Sequence, residues 1–597
     1  MSYTNELQVT IDDRRLPSAL EAKLVEAWVD TSVNLPAAFQ LTFRDKEREL
    51  LADVRATLGS EVVLRALVVG KDGGKPLFTG EVTALEVDSD RTGKYTVVRG
   101  HDQGHRLLRN RRVMGYKEMT ASDIARKLAS QNGLKVDRID RTPMKYDMIT
   151  QANVTDWEFL TRLAQENGVE LYFSPEGKFR YVKPKPASGA PGKGVKAESN
   201  SYVLEFGANL LRIRAGVTAS DQTSTVQVRG WDPKRKREFA EMAEAAVSPE
   251  LSIGLTGSAV TKAFGKAELV ETGVPYETQA QARGAAKALA ADVGSALAEL
   301  EAEVHGDPKL RPGLPVAVNG VGAPFEGKYT VTSARHMFMS GEEYVTRLTV
   351  SGRQDRSLFG LASGGSAAPA PRLPGVVSAL VTDNDDPENQ GRVKLRFPWL
   401  DKDYVSDWAR VVQFGGKGGG GLLMPEVNDE VLVAFDRGAL DHPYVIGGLY
   451  NGVDRLPKYQ RMPVVAPRPG GKVNWRSVAS RSGNRIELLD APGRQGVTIS
   501  SGDDRMSITL RETGTRLTVE SNGSVDISGA RAVMVSGGVA TVDARSRLDL
   551  RAPTIGLTGA NISLTGASIT LTGVVQVQGA LNVNGLITQA GHPVVVV

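Results

Sequence analysis

From Ile486 onward the chain repeats an apolar-polar-apolar triplet, each copy set off by Gly, Ser, Asn or Asp. The triplets open at Ile486, Val497, Ile508, Leu517, Val525, Val533, Ala540, Leu548, Ile555, Ile562, Ile569, Val575 and Leu581. Their spacing shrinks from 11 residues to 6 along the way. A repeat of about seven invites comparison with a coiled coil, but heptads place apolar residues three and four apart. Here they stand two apart, as in Ile555-Gly556-Leu557 and Ile562-Ser563-Leu564, which is strand spacing. Glycine in most units, with Thr and Ile between, would also penalise a helix. The pattern predicts a β-solenoid with glycine corners.

Two inward side chains per strand are too few to build a core of ordinary width from one chain. Sharing the core among three copies solves that problem and pairs backbone edges that would otherwise invite aggregation. The predicted needle core is Ile555, Leu557, Ile562, Leu564, Ile569, Leu571, Val575 and Val577. At one layer per strand, spaced about 4.8 Å, the thirteen units predict a needle of roughly 60 Å. The shortening repeat predicts a taper. Residues 552–597 contain no Asp, Glu, Lys or Arg. Charges in hydrocarbon are costly, so such a shaft suits entry into a membrane, with a stable adhesive fibre as the alternative. The apolar end, Pro593-Val594-Val595-Val596-Val597, would aggregate if bare and predicts a capping partner.

The rest of the 597 residues reads as several domains. Residues 1–359 are mixed α/β with a strand majority. Helices are expected from Thr120 to Asn132-Gly133, with Ser122 and Asp123 as caps, and from near Val154-Thr155-Asp156 to Gly168. A third, Ala-rich helix is expected from Glu277 to about Val304. Pro184 to Asn200 reads as a surface loop, and 360–374 as a linker. Residues 375–455 are compact β with glycine turns, 456–479 a connector, and 480–597 the needle. Lys and Arg total 73 against 69 Asp and Glu, so no basic excess points to nucleic acid. With no cysteine, disulfides and thiolate chemistry are excluded. The start lacks a signal-peptide pattern, and no run of 18 apolar residues occurs. The expectation is synthesis in the cytoplasm, with later exit by dedicated machinery.

The middle region carries a resemblance. Asp386-Pro387-Glu388-Asn389-Gln390-Gly391-Arg392-Val393-Lys394-Leu395-Arg396-Phe397-Pro398-Trp399 resembles the opening of the OB-fold of VgrG and phage tail spikes. It continues through Ser406-Asp407-Trp408, Met424-Pro425-Glu426-Val427-Asn428-Asp429-Glu430 and Pro443-Tyr444-Val445-Ile446-Gly447-Gly448. The motif positions of interest are Gly391, Arg392, Phe397, Pro398, Trp399, Trp408, Glu430 and Gly447. Leu77-Phe78-Thr79-Gly80, Asp156-Trp157-Glu158-Phe159 and Gly327-Lys328-Tyr329-Thr330 look like the tail-hub half of the same family. The resemblance implies a mainly β chain with minor α: tail-hub-like β-barrel domains, then the OB-fold, then an intertwined triple-stranded β-helix. It also implies a homotrimeric spike of a contractile injection system. Such a spike has a PAAR-like tip protein at its end, tube and baseplate proteins at the hub, possible effector cargo, and transient contact with a target membrane. No nucleic acid, cofactor or metal is expected.

Candidate chemistry is thin. Gly415 to Gly421 surrounds Lys417 but lacks the Gly-Lys-Ser/Thr order of a phosphate loop. Glu426, Asp429 and Glu430 offer carboxylates for glycoside cleavage, yet sit where the motif places a turn. Asp441-His442 hints at an acid-base pair. The histidines show no ligand spacing, and a threefold His592 ion site at the tip is the one metal reading. Phe397 and Trp399 beside Lys394 and Arg396 suit either packing or single-strand binding. The competing reading of the whole is a β-helical tailspike enzyme that cuts surface glycans, which needs carboxylates facing a groove.

Overall fold

In the computed structural model, strand pairing in the first hundred residues follows the alternation of apolar and polar side chains. Val62, Leu64 and Ala66 point inward from Glu61–Val68, as do Phe39, Leu41 and Phe43 from Leu35–Arg44. The structure describes residues 5–68, 75–219, 222–245, 248–255, 257–351, 373, 375–457, 462–467, 471–590 and 592–593. The sequence-expected linker 360–374 lies almost wholly outside the described residues. The chain divides into two units, 1–456 and 457–597.

In the first unit an eleven-stranded sheet joins strands distant in sequence. Ser333–Met339 pairs antiparallel with Leu24–Ser32, stitching the strands near 210–350 to those of 5–101. Residues 103–205 are inserted between the two sets. There, two helices start on reciprocal caps: Thr120 with Asp123 for Ala121–Gln131, and Thr155 with Glu158 for Asp156–Asn167. Thr120, and not Ser122 or Asp123, is thus the N-cap of the first; Asp123 supplies the returning carboxylate. Gly168, at φ +63°, ends the second in the left-handed region that glycine favours.

The Ala-rich helix is shorter than expected. It spans Gln279–Ser295, and Ala298–His305 is a strand. The reason is tertiary. Ala298, Leu300, Ala302 and Val304 alternate inward, and this strand is paired on both sides, with Leu210–Val217 and Val345–Val350. Ladder bonds and burial on that scale override intrinsic propensity. Pro184 to Asn200 is only partly a surface loop: it holds a short 3-10 turn, Ala187–Gly189, with Ala187 buried, and Ala190 and Ala197 are buried against Val203 and Ala317.

A strand pair, Arg111–Thr120 with Lys145–Thr155, has two working faces. Met114, Tyr116 and Ile149 face the helices, where Ile124, Leu128, Phe159, Leu160 and Leu163 complete a core. Val113, Met148 and Ala152 face the other way and pack on the core of a closed five-stranded barrel. The barrel comprises Val376–Asp383, Arg392–Arg396, Ala409–Val411, Glu430–Phe435 and Pro443–Gly448. Its interior is Val381, Val393, Leu395, Phe397, Ala409, Val431, Val433 and Val445. Among the described residues no helix is long and apolar enough to cross a membrane.

The second unit opens with five antiparallel strands: Trp475–Ala479, Arg485–Leu489, Gly496–Ser500, Met506–Arg511 and Arg516–Ser521. The first lies in the stretch read from sequence as connector. The triplets at Ile486, Val497, Ile508 and Leu517 therefore do not climb one layer each; the chain doubles back at every turn, because the turns are long enough to close hairpins. From 522 to 587 no strand bonds form within the chain. A short pair, Thr588–Gln589 with His592–Pro593, follows.

Candidate functional site

Each motif residue of the barrel has a defined task. Asp386 stands at the centre of the loop before the second strand. It accepts from the backbone N–H of Glu388, Gln390 and Arg392, and its two oxygens take a forked pair from the Arg392 guanidinium at 2.6 and 3.0 Å. The Arg392 side chain is 13% exposed and that of Asp386 3%. The guanidinium, helped by the three amides, holds the Asp386 carboxyl well below the usual carboxylate range. Gly391 turns the loop at φ +70°, with Met424 against it. Phe397 is fully buried between Tyr404 and Phe435, while Trp399 is half exposed and donates to the Ser378 carbonyl at 3.0 Å. Pro398 is exposed beside it. Glu430 accepts from Asn451 at 2.7 Å, and Gly447 pairs with Leu432 next to a bulge.

The basic-aromatic surface that could suggest nucleic acid is largely spent on internal contacts. Lys394 lies over the Trp408 ring at 4.3 Å and pairs with Asp383 at 2.9 Å; Arg392 is held by Asp386. Nucleic-acid grooves need cations free to meet phosphates. The Gly415–Gly421 segment connects two barrel strands, and Asp429 accepts from the Glu426 amide, fixing the turn before Glu430–Phe435. Among the described residues there is no cluster of three or more metal-ligating side chains. His442, which sequence reasoning paired with Asp441, instead faces Glu277 of the N-terminal region at 3.3 Å.

The second unit shows an inversion of ordinary burial. Cross-strand register aligns Ile486, Ile499, Ile508 and Val519 in one row and Leu488, Val497, Leu510 and Leu517 in another. These apolar rows are exposed or half-buried within a single chain. The opposite face buries Arg485, Glu487, Thr498 and Ser500. Arg485 meets Glu487 at 3.2 Å and Asp504 at 2.5 Å. Beyond, the predicted core residues Ile555, Leu557, Ile562, Leu564, Ile569, Leu571, Val575 and Val577 are each 52–67% exposed. One chain does not bring them together. Of the predicted tip residues, Pro593 lies in the terminal strand pair and Val594, Val595, Val596 and Val597 lie outside the described residues.

The barrel, its Asp386–Arg392 loop and the strand-spaced repeat define an injector-type OB domain joined to a β-rich N-terminal region and a distal repeat. Residues 377–450 match the type VI secretion system/phage-baseplate injector OB domain. The Pseudomonas aeruginosa spike protein VgrG5 is 40% identical over 98 residues, 15% of this chain and 12% of its own length. VgrG4b of the same organism is 30% identical over 148 residues, 23% of this chain and 18% of its own. The matched stretch thus spans less than a fifth of either curated relative. Among solved structures, the E. coli c3393 protein, a component of the type VI secretion system, is similar with a TM-score of 0.45. Its identity is 16%, over 75% of this chain and all of that one. The Francisella PdpA-VgrG complex gives 0.49 at 8% identity, over 87% and 80%. The OB barrel of this chain is therefore similar to that of VgrG spikes and phage-baseplate injectors.

Residues 62–340 also match the Alg8 N-terminal domain. That range begins inside Glu61–Val68 and ends just past Ser333–Met339. It omits Leu24–Ser32 and Leu35–Arg44, which lie between those strands in the sheet, so it does not delimit a folding unit of this chain.

Proposed function

We propose that this protein is the central spike and baseplate hub of a contractile injection system and catalyses nothing itself. The N-terminal region would receive the tail tube, the OB domain would pass load to the repeat, and the repeat would pierce the target envelope. One observation carries the reading: the exposed apolar rows of the second unit. Burying a Leu or Ile is worth about 1.5–3 kcal/mol, so a repeat that leaves so many in water needs partners of its own shape. Further copies of the same segment supply matching rows. Three copies would give each layer six inward apolar side chains around one shared core.

The uncharged stretch 552–597 supports piercing over glycan cleavage, since it offers no carboxylate to act as acid or base. Known relatives by name are spike proteins. On this reading the chain is made in the cytoplasm and incorporated into a particle. A tip protein of the PAAR kind would cover 593–597, cargo would travel with the spike, and the membrane would be met only transiently. A chain ending at 551, placed in cells that carry the cognate sheath and tube, tests this. Delivery of a reporter cargo to target cells is expected to be lost, and undiminished delivery would contradict the proposal.

A further inference from the structure

The OB barrel meets the N-terminal region at two separate places. One is the apolar platform of Val113, Met148 and Ala152, where Thr150 also meets the Tyr404 hydroxyl at 3.1 Å. The other is polar and lies in the turn between the barrel's last two strands. There His442, in the turn before Pro443–Gly448, faces Glu277, which precedes the cap of the helix Gln279–Ser295. Close by, Arg437 donates to the Val274 carbonyl at 2.9 Å. Both contacts grip one short segment, 274–277, and bind it to one barrel turn.

We infer that this second contact is a proton-operated latch that fixes the OB barrel to the N-terminal region when His442 is charged and frees it when His442 is neutral. The charged surroundings favour such a role. From its own turn His442 is faced by Asp441 and Asp436, and from the N-terminal region by Glu277. Glu277 in turn feels Arg410 of the adjacent strand and Lys234 of the turn joining the antiparallel strands Thr225–Asp232 and Arg237–Glu244. Burial by itself would keep the imidazole neutral, but the surrounding carboxylates, Glu277 foremost, outweigh it and raise its proton affinity above that of an ordinary histidine. Burial likewise opposes the Glu277 charge, and His442 with Arg410 and Lys234 outweighs it, holding that carboxyl below its usual range. A raised imidazole contributes fully below its unfolded value of about 6.5 and is lost as pH climbs through its folded value. A lowered carboxylate contributes above about 4.5 and is lost as pH falls through its folded value. The latch therefore holds in mild acid and opens as pH rises past the imidazole's raised folded value.

Hydrogen exchange of the full chain reads this directly, at several pH values and with intrinsic rates corrected. Residues 272–278 and 436–442 are expected to open several-fold more often at alkaline pH than at pH 6, while the platform strands 111–120 and 145–155 keep their protection. His442→Gln should remove the pH dependence and leave the segment open throughout. If that variant misfolds, Glu277→Gln decides by the same readout. Equal protection at both pH values in the natural chain, or a pH response that survives either substitution, would overturn the inference. None of these outcomes depends on how many copies assemble or on what the particle delivers.

Discussion

Asp386 concentrates the stability of the OB domain's most characteristic loop in one side chain. Three amides and a forked guanidinium converge on it in a nearly dry setting. Removing Asp386 strips three amides of their acceptor and leaves Arg392 only the exposed Glu388 at 3.5 Å, a loss of about 1.5–3 kcal/mol. Asp386→Ala is therefore expected to cost about 2 kcal/mol in chemical denaturation of the OB unfolding step, and Asp386→Asn less, because an amide oxygen can still accept from the backbone. The carboxyl's depressed proton affinity sets a sign as well. Its contribution is present above the ordinary aspartate value of about 3.9 and disappears as pH falls through the folded value, so Asp386→Asn should flatten the acid limb of stability against pH. Gly115 is a second single-residue control point. A Cβ there would meet the flexible end of Met148 and lie 3.6 Å from the Tyr404 ring, both of which reach the barrel core, so a branched side chain would crowd the contact. Gly115→Val should loosen the platform and show as a separate, lower-temperature OB transition in calorimetry, whereas a single unchanged transition would show the platform to be unimportant.

At the scale of elements, helices proved easier to place than to bound. Capping residues and apolar spacing are local, and Thr155 with Glu158 and Gly168 delimit the helix Asp156–Asn167 by local chemistry alone. Thr155→Ala is expected to lower stability by about 1 kcal/mol in denaturant titration. The stretch 298–305 was misread because its fate is decided by neighbours nearly a hundred residues before and some fifty after it, which no local signal reveals. The same limit hid the Glu277–His442 contact: adjacency suggested Asp441 as the partner, and only the packed barrel brings Glu277 within 3.3 Å. The OB motif was legible because its residues build a single loop and barrel in sequence order. The repeat was legible as strand-spaced, yet its first four units form hairpins within one chain, since spacing alone does not say whether successive strands return or climb.

For the whole molecule, the proposed assembly rests on the apolar rows. If three copies share an axis as proposed, Ile562→Asp places a charge on it in every copy, while Ser563→Asp places one on the polar side of the same triplet. The first should abolish association and the second leave it intact. The likeness of residues 377–450 to an injector OB domain agrees with the proposed spike, but association is a property of this chain's own side chains and stands or falls on them. Light scattering coupled to size exclusion on the purified full chain measures it directly. A mass three times that of the 63.9 kDa chain, unchanged on dilution through the micromolar range and lost in Ile562→Asp, is the predicted result. A particle with the mass of one chain would contradict it.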